Sequence, residues 1–256
     1  MKRILPILAA LILTACNNNA KTVTPATDAT DTLSQNAADS QELAKDDAST
    51  TSPDILAFGL KGPVKEVITL TYGTEEQPDG TLIAGEVLQK DTISFNASGL
   101  VTVDPFGAIY EYDKDGKFVK GVTEKSVMKR DEKGRVIYYN QQNDDEDDAM
   151  FTIEFTYDAQ GRISKVNTSF WEGTQTKTFI YEADNIYPVK MLFESSDEGT
   201  NVESEGAYRY TKFDKYGNWT EREHTYSGTE TEEGEDDYSS RWSGKNIERR
   251  TIEYYK

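Results

Sequence analysis

Apolar and polar side chains alternate with period two along Phe151-Thr-Ile-Glu-Phe-Thr-Tyr157. That alternation places Phe151, Ile153, Phe155 and Tyr157 on one face of a half-buried strand. Asp158-Ala-Gln-Gly161 follows, and Arg162-Ile163 opens the next apolar stretch. Asp158 is suited to bond the backbone ahead of it, and Gly161 to take the positive φ that closes a tight turn. The same aromatic-Asp/Asn-x-x-Gly phrase recurs at Phe95–Gly99, Tyr112–Gly116, Tyr157–Gly161 and Phe213–Gly217, with Arg130–Gly134 a variant. Tyr181-Glu-Ala-Asp-Asn185 is a degenerate copy in which Asn185, tolerant of positive φ, stands for glycine. The turn glycines are 17, 18, 27 and 56 residues apart, and about 17 residues is one strand, turn and strand.

Further strands are expected at Leu60–Tyr72, Thr178–Tyr181, Val189–Phe193, Tyr208–Lys212, Trp219–Tyr226 and Glu248–Tyr255, with a turn at Gln77–Gly80. No segment sustains a 3.6-residue period. The pattern predicts an all-β fold, an antiparallel meander of repeated hairpins. A strongly twisted sheet of this size buries its apolar face by bending into an open barrel or a two-layer sandwich.

The chain has 256 residues, with 28 Lys plus Arg against 46 Asp plus Glu, a formal charge of −18. A field of that sign repels nucleic acid, which is excluded as a partner. It keeps a sheet-rich protein soluble and discourages pairing of strand edges between molecules. Fifteen Tyr, ten Phe and three Trp suit cross-strand packing.

Met1-Lys2-Arg3 is a basic start, and Ile4 to Leu13 is an apolar run too short to span a bilayer. It ends in Leu13-Thr14-Ala15-Cys16, which resembles the lipobox of bacterial lipoproteins. The resemblance implies a signal peptide over residues 1–15, cleavage before Cys16 and acylation of its sulfur, anchoring the chain in a membrane. Removal of Lys2 and Arg3 would take the charge from −18 to −20. Asn17 rather than Asp after the cysteine points to the outer membrane. Asn17-Asn18-Asn19-Ala20 carries no acidic export signal, which favours the periplasmic face. Residues 16–53 are then a lipid anchor and disordered tether, poor in apolar groups, with a reach of about 35 Å as a flexible linker. The packed domain covers 54–256. Asp31-Thr32-Leu33 and Asp91-Thr92-Ile93 resemble the short O-glycosylation acceptors of Bacteroidetes.

The turn phrase, with Arg or Asn and an apolar residue after its glycine, resembles the Tyr-Asp (YD, or RHS-type) repeats of bacterial wall-associated and toxin-shell proteins, over about residues 95–219. The tail, Tyr210–Arg222 with Arg250–Tyr255, is similar to the ends of uncharacterised Bacteroidales lipoproteins. These resemblances imply an architecture and an envelope location, and no activity.

Candidate chemistry is sparse. His224, the single histidine, lies on an expected strand without a Gly-x-Ser-x-Gly elbow, and the single cysteine belongs to the anchor. No His/Cys metal site is possible by count. Asp113-Lys-Asp115-Gly116 has two alternate acids but lacks the rest of a calcium loop, and Asp144–Asp148 and Glu230–Asp237 are acidic runs. No cofactor is called for. Trp171, Trp219 and Trp242, with Tyr138, Tyr139 and Tyr226, are candidates for a ligand-stacking platform, the competing role being packing within the sheet. Trp171 and Trp242 sit beside loop-like Glu172-Gly173 and Ser243-Gly244. Three functions stay open. The first is a non-enzymatic interaction or scaffold module binding an envelope protein. The second is a glycan-binding module, and the third a glycoside hydrolase using two carboxylates.

Overall fold

The structure, a computed structural model, describes residues 52–142, 149–232 and 238–256. The signal peptide, Cys16, nearly all of the tether and the acidic runs at 144–148 and 233–237 lie outside them. One five-residue helix, α1 (Pro53–Ala57), precedes β1 (Val64–Glu76), β2 (Leu82–Phe95) and β3 (Val101–Val103). A two-stranded hairpin follows, β4 (Glu111–Tyr112) with β5 (Phe118–Lys120). The chain then runs through β6 (Val127–Arg130), β7 (Val136–Gln142), β8 (Ala149–Tyr157), β9 (Ile163–Phe170) and β10 (Gly173–Tyr181). It ends in β11 (Pro188–Asp197), β12 (Thr200–Phe213), β13 (Trp219–Glu232) and β14 (Tyr238–Tyr254). Twelve strands form one antiparallel sheet in the order β3-β2-β1-β14-β13-β12-β11-β10-β9-β8-β7-β6. The expected meander is therefore present as one sheet that is not closed into a barrel.

The recurring phrase is a single local device. At Asp158, Oδ1 accepts from the N–H groups of Gln160 and Arg162, both at 3.0 Å. The Gly161 N–H donates back to the Asp158 carbonyl at 3.0 Å, with Gly161 at φ +85°, a region costly for residues bearing a Cβ. Asn96, Asp113, Asp131 and Asp214 repeat these bonds. The arginine after the glycine joins consecutive copies. Arg162 bonds Asp158 Oδ2 at 2.6 Å and lies 4.2 Å from the Tyr181 ring, whose hydroxyl donates to the Ile163 carbonyl. Arg135 does the same between Asp131 and Tyr157, whose hydroxyl donates to the Val136 carbonyl. Apart from the Asp113 turn, which belongs to the β4–β5 hairpin, these turns line one rim of the twelve-stranded sheet. In the degenerate copy the positive φ falls on Ala183, not on Asn185.

A further copy, Asp104-Pro-Phe-Gly107, follows Val103 rather than an aromatic residue and points inward. Asp104 Oδ1 accepts from Phe106 and Ala108, and Oδ2 from the Tyr110 hydroxyl at 2.7 Å. This loop delivers Ala108 and Tyr110 to the core, with Phe106 edge-on to Phe155.

Two joins shape the sheet. First, β1 pairs with β14 from Val64↔Tyr254 to Gly73↔Asn246, so the chain's first and last strands are neighbours. Asn218, after the last turn glycine, secures this join. It exchanges hydrogen bonds with both backbone groups of Lys61 and donates to the Tyr254 hydroxyl. Second, the two ends of the strand order meet. Twelve strands laid flat would separate β3 from β6 by about 50 Å. Yet Val67, Ile93 and Val101 share one core with Val136, Ile153, Phe155 and Val166, beneath Ile55 and Leu60. The sheet is curled, and α1 fills the seam. Asp54, 2% exposed, accepts from the Val101 N–H of β3 at 2.9 Å and takes both guanidinium nitrogens of Arg130 on β6, at 2.6 and 2.9 Å. Ser52 caps α1 and donates to the Gly99 carbonyl.

Beyond its short pairing with β3, the outer edge of β2 has no partner strand among the described residues and exposes Ile83, Val87 and Leu88. Two register shifts against β1 interrupt this edge, a feature that blunts strand-to-strand association.

Two expectations follow. Asp54→Ala should lower unfolding free energy by about 3–5 kcal/mol, because it strands the Arg130 charge, and Arg130→Met in addition should restore part of the loss. Denaturant midpoints for the single and double variants check this, and an unchanged Asp54→Ala midpoint rules out the clasp. Burial pushes Asp104 up from 3.8 to about 6, its hydrogen bonds from Tyr110, Ala108 and Phe106 opposing. The folded state then binds the proton more tightly than the unfolded one, so this group favours folding at low pH. Its contribution declines as pH rises from about 4 to about 6, by roughly 3 kcal/mol in all. Asp104→Asn should flatten that part of the stability–pH curve relative to wild type.

Candidate functional site

Cross-strand register defines the inner, core-bearing face beyond the hydrophobic plug. Tyr210↔Arg222↔Glu248, Tyr208↔His224↔Asn246, Gly206↔Tyr226↔Gly244 and Ser204↔Gly228↔Trp242 are successive rows across β12, β13 and β14. Arg250, Glu248 and Trp242 thus share one face of β14, and Lys177 and Asp91 occupy the same face of β10 and β2 through Lys177↔Phe193↔Ser204 and Asp91↔Thr69↔Arg250.

A continuous aromatic stripe runs across these rows. Ring centroids step from Tyr210 to Tyr208 (6.4 Å), His224 (4.6 Å), Tyr226 (5.4 Å) and Trp242 (5.7 Å). Three of the rings lie over strand glycines. His224 covers Gly206, Tyr226 covers Gly244, and Trp242 covers Gly228, each so closely that a Cβ on the glycine would overlap the ring. A glycine inside a strand costs backbone entropy, and here each one lets a neighbouring ring come close to the backbone. Trp242 is half-buried, towards the rim opposite the Asp-x-x-Gly turns.

Charged groups flank the near-rim end. Arg222 donates twice to Glu248 Oε2, at 2.9 and 2.6 Å, and stacks 3.8 Å from Tyr208 and 4.4 Å from Trp219. Glu248 Oε1 lies 3.5 Å from His224 Nδ1. Burial lowers the His224 pKa, Glu248 opposing and Arg222 adding to the shift, so the ring is neutral at pH 7 and acts as an aromatic member of the stripe. Arg250 sits 3.7 Å above Trp219, with its Nε 3.2 Å from Thr69 Oγ1. Burial, then the neighbouring Arg222, brings Arg250 down to about 9. Burial raises Asp91, and its carboxylate oxygens accept from the Gln89 amide at 2.9 and 3.0 Å.

The three tryptophans separate. Trp219 is 1% exposed, enclosed by Arg222, Arg250 and Tyr210, and so cannot stack on a ligand. Trp171 is 81% exposed at the β9–β10 turn, away from the stripe. Trp242 alone joins the stripe, and it lies within β14 rather than beside a loop. Of the tyrosines, Tyr226 is in the stripe, Tyr139 is fully buried in the core, and Tyr138 pairs with Lys129 across β6–β7. Tyr208 and His224 complete a platform that tryptophan positions alone did not reveal. Its sequence signal was the set of glycines 206, 228 and 244 inside otherwise β-prone segments.

The Asp113–Gly116 segment is a turn of the repeating kind. Among the described residues, no group of three or more His, Cys, Asp or Glu is arranged to hold a metal ion, and no helix is long and apolar enough to cross a membrane. A shallow open depression of about 730 Å³ crosses β11–β14. It is lined by three successive rows: Phe193↔Ser204↔Gly228↔Trp242, which belongs to the stripe's face, between Leu192↔Glu205↔Ser227↔Ser243 and Glu194↔Glu203↔Thr229↔Arg241, which belong to the outer face. No family model and no curated protein matches this chain.

Proposed function

We propose that the protein is a lipid-anchored cell-envelope module that binds a glycan, without catalysis, along its inner-face aromatic stripe. The observation that carries this reading is the close seating of His224, Tyr226 and Trp242 against Gly206, Gly244 and Gly228, in one row of neighbouring rings. Rings held in place on a rigid sheet suit the apolar faces of sugar rings, and they lose little side-chain freedom on binding. A hydrolytic role needs two facing carboxylates free to act, and next to Arg250, Glu248 is engaged by Arg222 and Asp91 by the Gln89 amide. A protein-binding scaffold would use the exposed Trp171 turn rather than the stripe.

The anchor enters this reading through Cys16 and its lipobox-like context. Ser52, the first described residue, is held at the rim of Asp-x-x-Gly turns, and Trp242 lies towards the opposite rim. The periplasmic face of the outer membrane is the proposed location.

A glycan array followed by titration calorimetry tests the binding. Trp242→Ala should weaken the best glycan about tenfold, a loss of about 1.4 kcal/mol, and Trp171→Ala should leave it unchanged. Both variants, singly and together, should keep the fold. Glycan binding that depends on Trp171 instead would move the site to the β9–β10 turn and refute the stripe, and no glycan binding at all would refute the proposal. For the anchor, Cys16→Ser should abolish labelling by radioactive palmitate and release the protein from the membrane fraction. Retention of the label would show that another residue is acylated.

A further inference from the structure

The inner face around Arg250 carries Arg222 and Lys177 with the carboxylates Asp91 and Glu248, while Glu230 sits on the same face of β13 towards the Trp242 end. The two carboxylates near Arg250 are already engaged. Glu248 takes two hydrogen bonds from Arg222, and Asp91 takes both of its own from Gln89. Lys177, 5.5 Å from the Phe106 ring, and Arg250 form no ion pair among the described residues, and of the two only Arg250 carries a guanidinium. Its Nε reaches Thr69 Oγ1, its plane rests on Trp219, and among the described residues no carboxylate lies within ion-pair distance and no acceptor meets its terminal nitrogens. Arg250 is half-buried, so its guanidinium is reachable from solvent and carries a charge that no carboxylate among the described residues pairs. Its two terminal nitrogens form a fork that matches the two oxygens of a carboxylate. Trp219 and Thr69 hold that fork in place on the same face as the stripe.

We infer that Arg250 seats an acidic group of the ligand, so that the glycan bound along the stripe is one bearing a carboxylate, a uronic-acid oligosaccharide. This rests on the stripe being the binding surface. Arg250 and Trp242 are eight residues apart on one strand, about 27 Å at strand rise, so the ligand is an oligomer rather than a single sugar. Long polyanions are disfavoured by the acidic exterior, which selects a short chain with its charge placed at Arg250.

The test uses the full mature chain, wild type, so that no substitution at Trp219's neighbour is needed to keep the result interpretable. A short oligogalacturonide and the same oligomer with its carboxylates methyl-esterified are titrated at constant ionic strength. The Arg250 Nε–H and the Trp242 indole N–H are followed by nuclear magnetic resonance. The acid form should move both signals saturably and bind at least tenfold more tightly than the ester, which should move Trp242 alone. Equal affinities with only Trp242 responding would overturn the Arg250 seat and leave the stripe reading intact. A response at Arg250 without one at Trp242 would mark a simple anion site, refuting the acidic-glycan inference and the stripe together. No response at either residue with the acid oligomer would also overturn the inference. Arg250→Lys, which keeps the charge but not the fork, should retain a minority of the acid preference, and Arg250→Gln none.

Discussion

The curvature of the sheet depends on one buried ion pair. Asp54 gathers the edge strand β3, through the Val101 amide, and the opposite edge strand β6, through Arg130, into one hydrogen-bonded cluster. Antiparallel strands close a barrel by pairing their edges. Here β3 and β6 do not pair, and a carboxylate on a five-residue helix does the joining. The hydrophobic plug from α1 and the Asp104 loop then packs against both ends of the sheet at once. Without that closure the inner face would be an open sheet surface, and Arg222, Glu248 and Arg250 would face bulk water rather than one another.

Local features were legible in the sequence because they are set by a few adjacent residues. The period-two alternation located most of the strands, and the Asp-x-x-Gly phrase located the turns with their hydrogen bonds. The Arg or Asn after the glycine also has a physical role. Arg135 and Arg162 bind one copy's aspartate to the next copy's tyrosine, and Asn218 replaces them where the meander must meet its own beginning. Where the phrase lost its aromatic residue, at Val103-Asp104, the pattern hid a copy that is buried rather than rim-exposed.

Long-range features were not legible. The neighbouring of β1 and β14, and therefore the place where the sheet breaks, follows from contacts between residues nearly 190 positions apart. Asp54 read only as the first residue of the packed domain, with no role, because its partners, Val101 and Arg130, are distant in sequence. The tryptophans were ambiguous for the same reason. Trp219 differs from Trp242 only in what folds over it, two arginines in one case and the half-open stripe in the other. A strand glycine reads as a weakness until the ring on the neighbouring strand is known.

The stripe and the clasp are linked through the curl, so the clasp is where the account is most exposed. The Val101 amide reports it directly, because that N–H points to the Asp54 carboxylate instead of to a neighbouring strand. Hydrogen exchange of the native chain, resolved to single amides, is the measurement to make. If the clasp holds the curled sheet, Val101 exchanges as slowly as Val67 in the core of β1. If Val101 exchanges at the rate of a frayed edge while Val67 stays protected, the sheet opens along this seam and the enclosed inner face is not its resting state.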